Sequence, residues 1–131
     1  MLKDYKKTAL VFKSQIITYF EVLQYVNFFS KTYFNKSVKK AAIFSENRPE
    51  WIYSLYATLD NSCIAVTVDF MSNEKEVSYI LNDSKPEIIF CSQKTKEIMD
   101  KTIELLDYDI KVIVFEEIKY KLEKTIRETN T

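Results

Sequence analysis

The sequence of 131 residues contains no glycine and no histidine. Without glycine it has neither the glycine-rich turn of dinucleotide-binding proteins nor a phosphate-binding loop of the Walker type. Without histidine it cannot form the Ser-His-Asp and Cys-His arrangements that many hydrolases and proteases use. The lack of both residue types therefore excludes, within these 131 residues, the commonest designs for nucleophilic catalysis and for binding a triphosphate.

Cysteine is scarce as well. Cys63 and Cys91 are the two thiols, and they are too far apart in sequence to form a CxxC motif. With no histidine to join them, a zinc site would have almost no ligands. Both cysteines lie in apolar runs rich in β-branched residues, which favours inert side chains in buried strands over reactive or disulfide-bonded ones.

The charge balance is even, with nineteen basic and nineteen acidic residues. No basic stripe stands out, so nucleic acid and anionic membranes are not expected as partners. No apolar run approaches the roughly twenty residues of a membrane span, and the first residues do not resemble a signal peptide. Apolar residues make up 47% of the chain, which favours one folded domain over residues 1–131 and a cytoplasmic location.

The first segments predict a small β-hairpin followed by a helix. Apolar residues at 8–12 and 15–17 are typical of two short antiparallel strands. Thr18 and Glu21 have the spacing of a capping box, in which each side chain accepts a hydrogen bond from the other end of the first helical turn. The helix should run to about residue 34, and the charge-rich residues 119–131 are expected to fray.

From residue 39 onward, strands and helices alternate. Continuous apolar strands and short connections predict a parallel sheet of four strands flanked by helices, an α/β fold. Pro49 and Asn47 suit a helix start, and Asn73 with Glu76 suits another. We expect strands at 41–44, 63–68, 88–91 and 112–115. The predicted apolar faces of the first two helices between them carry Trp51, Leu55 and Leu59, then Val77, Ile80 and Leu81. The third helix is marked by Ile98, Met99, Thr102, Ile103, Leu105 and Leu106.

A few acidic residues could be catalytic or could simply complete local structure. Glu74 with Glu76, and Glu116 with Glu117, are carboxylate pairs at predicted helix starts, where acidic groups complement the helix dipole. Asp69 ends a predicted strand, where open α/β sheets often hold ligands, but it can also close a turn. In each case local structure is the favoured interpretation.

The order of several short motifs resembles the N-terminal part of AMP-forming acyl-CoA synthetases, including the long-chain fatty-acid ligases. No single motif is specific, but the ordered set covers nearly the whole chain. The matching residues are Thr18, Tyr19 and Glu21; Asn47, Pro49, Glu50 and Trp51; residues 64–69; and Glu76 with residues 79–84. Where such proteins usually have glycine after the Trp51 helix, this chain has Asn61, which can adopt the left-handed conformation.

The resemblance implies a parent enzyme that uses ATP, Mg and CoA to convert a carboxylate into acyl-AMP and then into an acyl thioester. The phosphate loop, the acidic ribose-binding motif and the catalytic lysine of that family have no counterpart here. The resemblance therefore assigns no catalytic residue and no cofactor to this chain itself. It implies a fragment that forms one wall of the substrate cleft and packs against the remainder of the ligase.

The loops at the carboxyl ends of the predicted strands, residues 45–48, 69–72 and 92–96, should lie nearest that cleft. By resemblance, Lys94 and Lys96 are candidates to approach the phosphates of CoA, although exposed lysines at a helix start need no ligand to explain them. The heavy aromatic content also predicts self-association of the isolated chain as a homo-oligomer.

Two other interpretations of the same α/β pattern differ in function. The chain could be a free-standing interaction module that keeps the fold without ligase activity. A receiver-like signalling domain would need clustered acidic residues at the end of the first parallel strand, and residues 44–46 supply too few.

Overall fold

The computed structural model describes residues 8–12 and 15–118. β1 (Thr8–Phe12) and β2 (Gln15–Thr18) pair antiparallel, with Phe12 opposite Gln15, which confirms the predicted hairpin. α1 (Tyr19–Tyr33) follows directly. Its capping box is formed as predicted, because the Glu21 amide donates to Thr18 Oγ1 at 3.2 Å while the Glu21 carboxylate accepts from the Thr18 amide.

The predicted parallel sheet of four strands is confirmed. Its strands lie in the order β4-β3-β5-β6, and every neighbouring pair is parallel. Each pair of consecutive strands is joined through one helix. The elements are β3 (Lys40–Phe44), α2 (Pro49–Asp60), β4 (Ile64–Val68), α3 (Glu74–Ser84), β5 (Ile88–Cys91), α4 (Gln93–Ile103) and β6 (Lys111–Val114).

The strand order creates a switch point between β3 and β5. From β3 the chain moves to β4 on one side, then returns through α3 to β5 on the other side of β3. Connections that leave in opposite directions open a crevice at the carboxyl ends of the two central strands, where open α/β folds bind ligands. The segments that follow β3 and β5 therefore meet at this point.

One face of the sheet is packed with aromatic rings. Phe29 of α1 stacks on Phe90 of β5 at 5.6 Å between ring centroids, and Phe90 stacks on Phe115 at 6.0 Å. Tyr53 of α2 meets Phe29 edge-on at 6.1 Å. The three phenylalanines are fully buried, so this face holds α1 and α2 to the sheet through large apolar area and ring geometry.

The opposite face is aliphatic. Val77 and Leu81 of α3 are fully buried against it, as predicted, and so is Met99 of α4. Ile89 of β5 points to this face, whereas its neighbour Phe90 points to the aromatic one. Since successive side chains of a strand alternate between faces, β5 is buried on both sides.

The prediction of which face of α2 is buried was wrong. Leu59 is 54% exposed, and Trp51 and Leu55 are only partly buried at the margin of the core. The buried stripe consists instead of smaller and more polar side chains together with one tyrosine. Ser54 and Thr58 fit there because their hydroxyls donate back to carbonyls one turn earlier, at 2.8 and 2.7 Å. The buried residues of α2 are Pro49, Tyr53, Ser54, Ala57 and Thr58.

Two predicted backbone roles are shifted by one residue. Arg48, and not Asn47, is the N-cap of α2, with Pro49 in the first turn as expected. Asn61 keeps a negative φ of −93° because its side-chain amide donates to the Ala57 carbonyl at 2.8 Å and to Ser30 Oγ at 2.7 Å. The left-handed position falls on Ser62, with φ 57°.

The predicted strand at 63–68 is less buried than its apolar sequence suggests. β4 lies at the edge of the sheet, Ile64 is 59% exposed, and Cys63 precedes the strand in a partly exposed position. Cys91 is fully buried as expected, and burial raises the pKa of its thiol to about 12. α4 ends at Ile103, so Leu105 and Leu106 follow the helix.

The predicted tail, residues 119–131, lies outside the described residues. Within 8–12 and 15–118, no helix combines the length and apolarity that crossing a membrane requires.

Candidate functional site

Polar side chains gather at the switch point, on the segments that follow β3, β5 and β6. We refer to them as the switch-point cluster. Side-chain hydrogen bonds and ion pairs connect them across sequence separations of up to 68 residues. The cluster consists of Glu46, Arg48, Glu50, Ser92, Thr95 and Glu116.

Glu46 joins the β3 loop to the β5 loop. Its Oε1 accepts a hydrogen bond from Ser92 Oγ, and it also accepts from Ser45 Oγ at 3.1 Å. Burial alone would raise the pKa of Glu46, but the hydrogen bonds from Ser92 and Ser45 and the charge of Arg48 bring that pKa below its ordinary value. The ionised carboxylate is thus the form that fits this position.

Arg48 connects the same loop to the segment after β6. Its Nε and Nη2 reach the two carboxylate oxygens of Glu50 at 3.0 and 3.2 Å, and its Nη1 donates to Glu116 Oε2 at 2.9 Å. Burial would lower the pKa of Arg48, but the hydrogen bonds to both glutamates raise it, so the guanidinium stays charged. The guanidinium carbon lies 5.5 Å from the Phe115 ring centroid, which adds a cation–π contact.

Thr95 completes the cluster from the first turn of α4. Its Oγ1 donates to the carbonyl of Phe44, the last residue of β3, at 2.7 Å, and accepts from the Ser92 amide at 3.0 Å. Glu116 Oε1 accepts from the Gln93 amide at 3.0 Å. The start of α4 is therefore tied both to the end of β3 and to the residue that follows Phe115.

The hydrogen bonds of the cluster run mainly among its own members and the adjacent backbone. Among the described residues, every buried side-chain nitrogen or oxygen has a hydrogen-bond partner. The same residues contain no group of three or more His, Cys, Asp or Glu side chains arranged to hold a metal ion. The arrangement can hold the loops after β3, β5 and β6 in a set geometry.

The structure brings together two of the three loops predicted to line the cleft, residues 45–48 and 92–96. Asp69, in the third loop, closes its own turn by accepting from the Met71 amide at 2.9 Å. Glu76 caps α3, accepting from the Asn73 amide at 3.1 Å, as its favoured interpretation required. Glu116 lies in a short helical segment at residues 115–118, as its helix-start interpretation required, and it also binds Arg48 and the amide of Gln93.

The two lysines that the family resemblance points to lie in the first turn of α4. Lys94 is exposed, and Lys96 pairs with Asp100 of the same helix at 3.0 Å. The hydrogen bond to Asp100 raises the pKa of Lys96, so its ammonium stays charged beside the cluster.

The ion pairs of Arg48 with Glu46, Glu50 and Glu116 were not predicted, although residues 45–48, Glu50 and Glu116 were each named from the sequence. Arg48 stands inside the motif that resembles the synthetases, between Asn47 and Pro49, and Glu116 lies two residues after the end of β6. Both positions lie at carboxyl ends of parallel strands. This placement is the feature of the sequence that could have identified them as part of a site. The sequence analysis also missed Glu87 at the opposite end of the sheet, where Oε1 accepts from the amides of Lys39 and Lys40, each at 2.8 Å.

The fold and the cluster define an open, doubly wound α/β domain with its polar residues at the switch point. A family profile described as AMP-binding enzyme matches residues 2–130. The chain belongs to the AMP-binding enzyme family.

Two curated relatives agree with this assignment. A component of the mycosubtilin synthase of Bacillus subtilis is 32% identical over 107 residues, which cover 78% of this chain and 4% of that protein. Fatty acyl-CoA synthetase A of Dictyostelium discoideum is 31% identical over 75 residues, which cover 57% of this chain and 11% of that protein. The chain thus spans a small part of either relative.

Solved structures share the fold over most of the chain. The anthranilate CoA ligase AuaEII superposes with a TM-score of 0.79 at 19% identity, covering 87% of this chain and 23% of that one. The N-terminal domain of FACL13 from Mycobacterium tuberculosis superposes with a TM-score of 0.74 at 17% identity, covering 84% of this chain and 30% of that one.

The family implies ATP and Mg²⁺, and the described residues do not fit them. A triphosphate needs a flexible loop of backbone amides, and the chain has no glycine to build one. The glutamates of the cluster are already engaged by Arg48 and Ser92. Any nucleotide site would therefore depend on residues beyond those described.

Proposed function

We propose that the chain is the N-terminal part of an ATP-dependent, AMP-forming ligase that joins a fatty acid to CoA. The 31% identity to a fatty acyl-CoA synthetase carries this proposal, together with membership in the AMP-binding family. The parent protein would convert a carboxylate and ATP into acyl-AMP and pyrophosphate, and then transfer the acyl group to the thiol of CoA.

In this proposal the chain has a structural role and is not catalytic by itself. The switch-point cluster holds the loops after β3 and β5 at the edge where ligands of open α/β sheets bind. A rigid edge of this kind would position one wall of the substrate cleft, while the remainder of the ligase supplies the reacting groups. The coverage of 23% to 30% of the solved ligase chains is consistent with such a division.

Lys94 and Lys96 would contribute electrostatically on the CoA side. Two lysines at the start of α4 add positive charge to the positive end of the helix dipole, which favours a phosphate group. Since Lys96 is already paired with Asp100 and both side chains are solvated, we expect a modest, salt-dependent contribution.

The experiment is carboxylate-dependent exchange between ATP and labelled pyrophosphate. The protein encoded by the whole reading frame is compared with the 131-residue chain, using fatty acids of several lengths. We expect exchange by the first and none by the second. Exchange by the isolated chain would contradict the structural role, and absence of exchange by both with every acid tested would contradict the ligase assignment.

The lysine contribution is tested in the same protein. Lys94→Ala with Lys96→Ala should raise the KM for CoA by about threefold to tenfold at low salt and leave pyrophosphate exchange unchanged. Lys101→Ala is the matched control, because Lys101 is an exposed lysine in the last turn of the same helix. An equal effect of the control would remove the proposed role.

A further inference from the structure

Within the part of the chain that the structure describes, β4 is an edge strand with one free side. Among the described residues it pairs with β3 alone, in register from Ile64 opposite Lys40 to Val68 opposite Phe44, without a bulge. Its five residues include no charge and no proline. Natural edge strands are usually blunted by charged residues, proline, bulges or covering segments, because free amides and carbonyls attract another strand. The edge strand β6, by contrast, begins with Lys111.

The free hydrogen-bonding groups of β4 can be assigned. The Ile64 amide donates to the Lys39 carbonyl at 2.9 Å, so the amide of Ile64 faces β3. Backbone amides and carbonyls alternate in direction from one residue of a strand to the next. The amides and carbonyls of Val66 and Val68 therefore also face β3. The amides and carbonyls of Ala65 and Thr67 therefore point away from the sheet.

We propose that this edge binds a second copy of the chain, with two β4 strands pairing antiparallel about a two-fold axis at Val66. In that register Ala65 lies opposite Thr67 of the other copy, and each such pair exchanges two hydrogen bonds. Sliding the strands by one pairing step in either direction puts Ala65 or Thr67 opposite itself and leaves one hydrogen-bonded pair within the strand instead of two. The register about Val66 thus uses the outward groups of β4 most fully.

Side chains around the edge favour the same partner. Ile64 is 59% exposed at the start of β4, and Phe70 and Met71, just after its end, are 45% and 77% exposed. In an antiparallel pair the end of one strand lies beside the start of the other, so these apolar side chains meet across the axis. No like charges face each other within the paired strands, since β4 carries none. This association does not depend on the proposed function.

The first test is sedimentation equilibrium of the isolated chain across the micromolar range. We expect a reversible dimer. Thr67→Pro removes an outward amide and leaves the β3 ladder intact, so it should weaken the dimer at least about tenfold. Thr67→Val keeps the backbone donor and a β-branched shape, so it should not weaken the dimer. Thr67→Lys provides an independent test if the proline variant fails to fold, which circular dichroism would show.

The second test is disulfide cross-linking in a Cys63→Ser background, where Cys91 is buried. Val66→Cys faces its own copy across the axis and should form a covalent dimer on mild oxidation. Ile64→Cys is more exposed, but the register places it opposite Val68 of the other copy. This variant should therefore not form a covalent dimer.

The proposal would be overturned by a monomeric wild type, by a dimer insensitive to both Thr67→Pro and Thr67→Lys, or by preferential cross-linking through position 64. Protection of the Ala65 and Thr67 amides from exchange in a monomer would mean that a segment of the same chain covers the edge, which also overturns it.

Discussion

The two ends of the parallel sheet are held together by different chemistry. At the carboxyl end, the switch-point cluster joins side chain to side chain, and Arg48 and Glu46 are only 14% and 17% exposed. At the amino end, Glu87 accepts from two backbone amides in a more open setting, and Lys40 Nζ donates to the Ser84 carbonyl at 2.8 Å.

Charged groups withdrawn from water contribute less to stability than their distances suggest, because desolvation offsets much of the attraction. The amino end shows that β3 and β5 can be joined with less burial of charge. The switch-point cluster, in which more charge is withdrawn from water, lies at the end of the sheet where open α/β folds bind ligands. We interpret the difference as a division between an end built for stability and an end built to hold loops in place.

Removing Arg48 should have the largest effect. Arg48→Met leaves Glu46, Glu50 and Glu116 close together without their shared cation, and should lower the free energy of unfolding by about 2 kcal/mol, less than for a fully buried ion pair because these side chains are partly exposed. Denaturant unfolding measures this loss. Lys101→Met, which removes an exposed pair at 3.8 Å, is the control and should cost less than about 1 kcal/mol. Equal losses would erase the distinction between the two settings.

Thr95→Val should have an effect nearly as large. It leaves the Phe44 carbonyl and the Ser92 amide without Thr95 Oγ1, and should cost about 2 kcal/mol in chemical denaturation. Thr102→Val is matched in residue type, helix and burial, but Thr102 Oγ1 donates only to the Ile98 carbonyl within α4. A loss for Thr102→Val as large as that for Thr95→Val would mean that the link to β3 contributes nothing specific.

At the amino end, Glu87→Ala should cost about 1 kcal/mol. The amides of Lys39 and Lys40 lose a shared acceptor, but the hydrogen bond from the Lys39 amide is exposed, so water can replace it there. Thermal or denaturant unfolding will show the difference from Arg48→Met. A loss at Glu87 exceeding the loss at Arg48 would reverse the comparison of the two ends.

The smallest effect concerns pH. Glu46 has a folded pKa below its ordinary value of 4.5, so its contribution to stability is fully present above that value and is lost as the pH falls through the folded pKa. Glu46→Gln should therefore flatten the decline of unfolding free energy below about pH 4.5, while part of the decline persists because Glu87 also has a lowered pKa. An unchanged acid profile would show that Glu46 is not stabilised as an anion.

The sequence predicted most of the fold because the strands of the sheet centre are continuous apolar runs. The strand at 88–91 was predicted with its observed bounds, and both capping boxes follow from side chains three residues apart. The predicted inward face of α2 was wrong because the close-packed stripe contains Ala57, Ser54 and Thr58, which an apolar pattern does not select.

The candidate site was only partly predictable. The rule that ligands bind at carboxyl ends of parallel strands selected the loops at 45–48 and 92–96, and the structure joins them. The pairing of Arg48 with Glu116 spans 68 residues and depends on β5 and β6 lying side by side, which strand order alone determines. The edge position of β4 was missed for the same reason, since an apolar strand looks alike at the edge and at the centre.

The most direct test of the account is a double-mutant cycle between Glu46→Ala and Ser92→Ala, because this pair joins the loops after β3 and β5. Unfolding free energies of the wild type, both single variants and the double variant are measured at neutral pH. The account predicts a coupling energy of at least about 1 kcal/mol, as expected for a shielded hydrogen bond to a charged group. A coupling below about 0.3 kcal/mol, within the error of additivity, would contradict the claim that this cluster holds the two loops together.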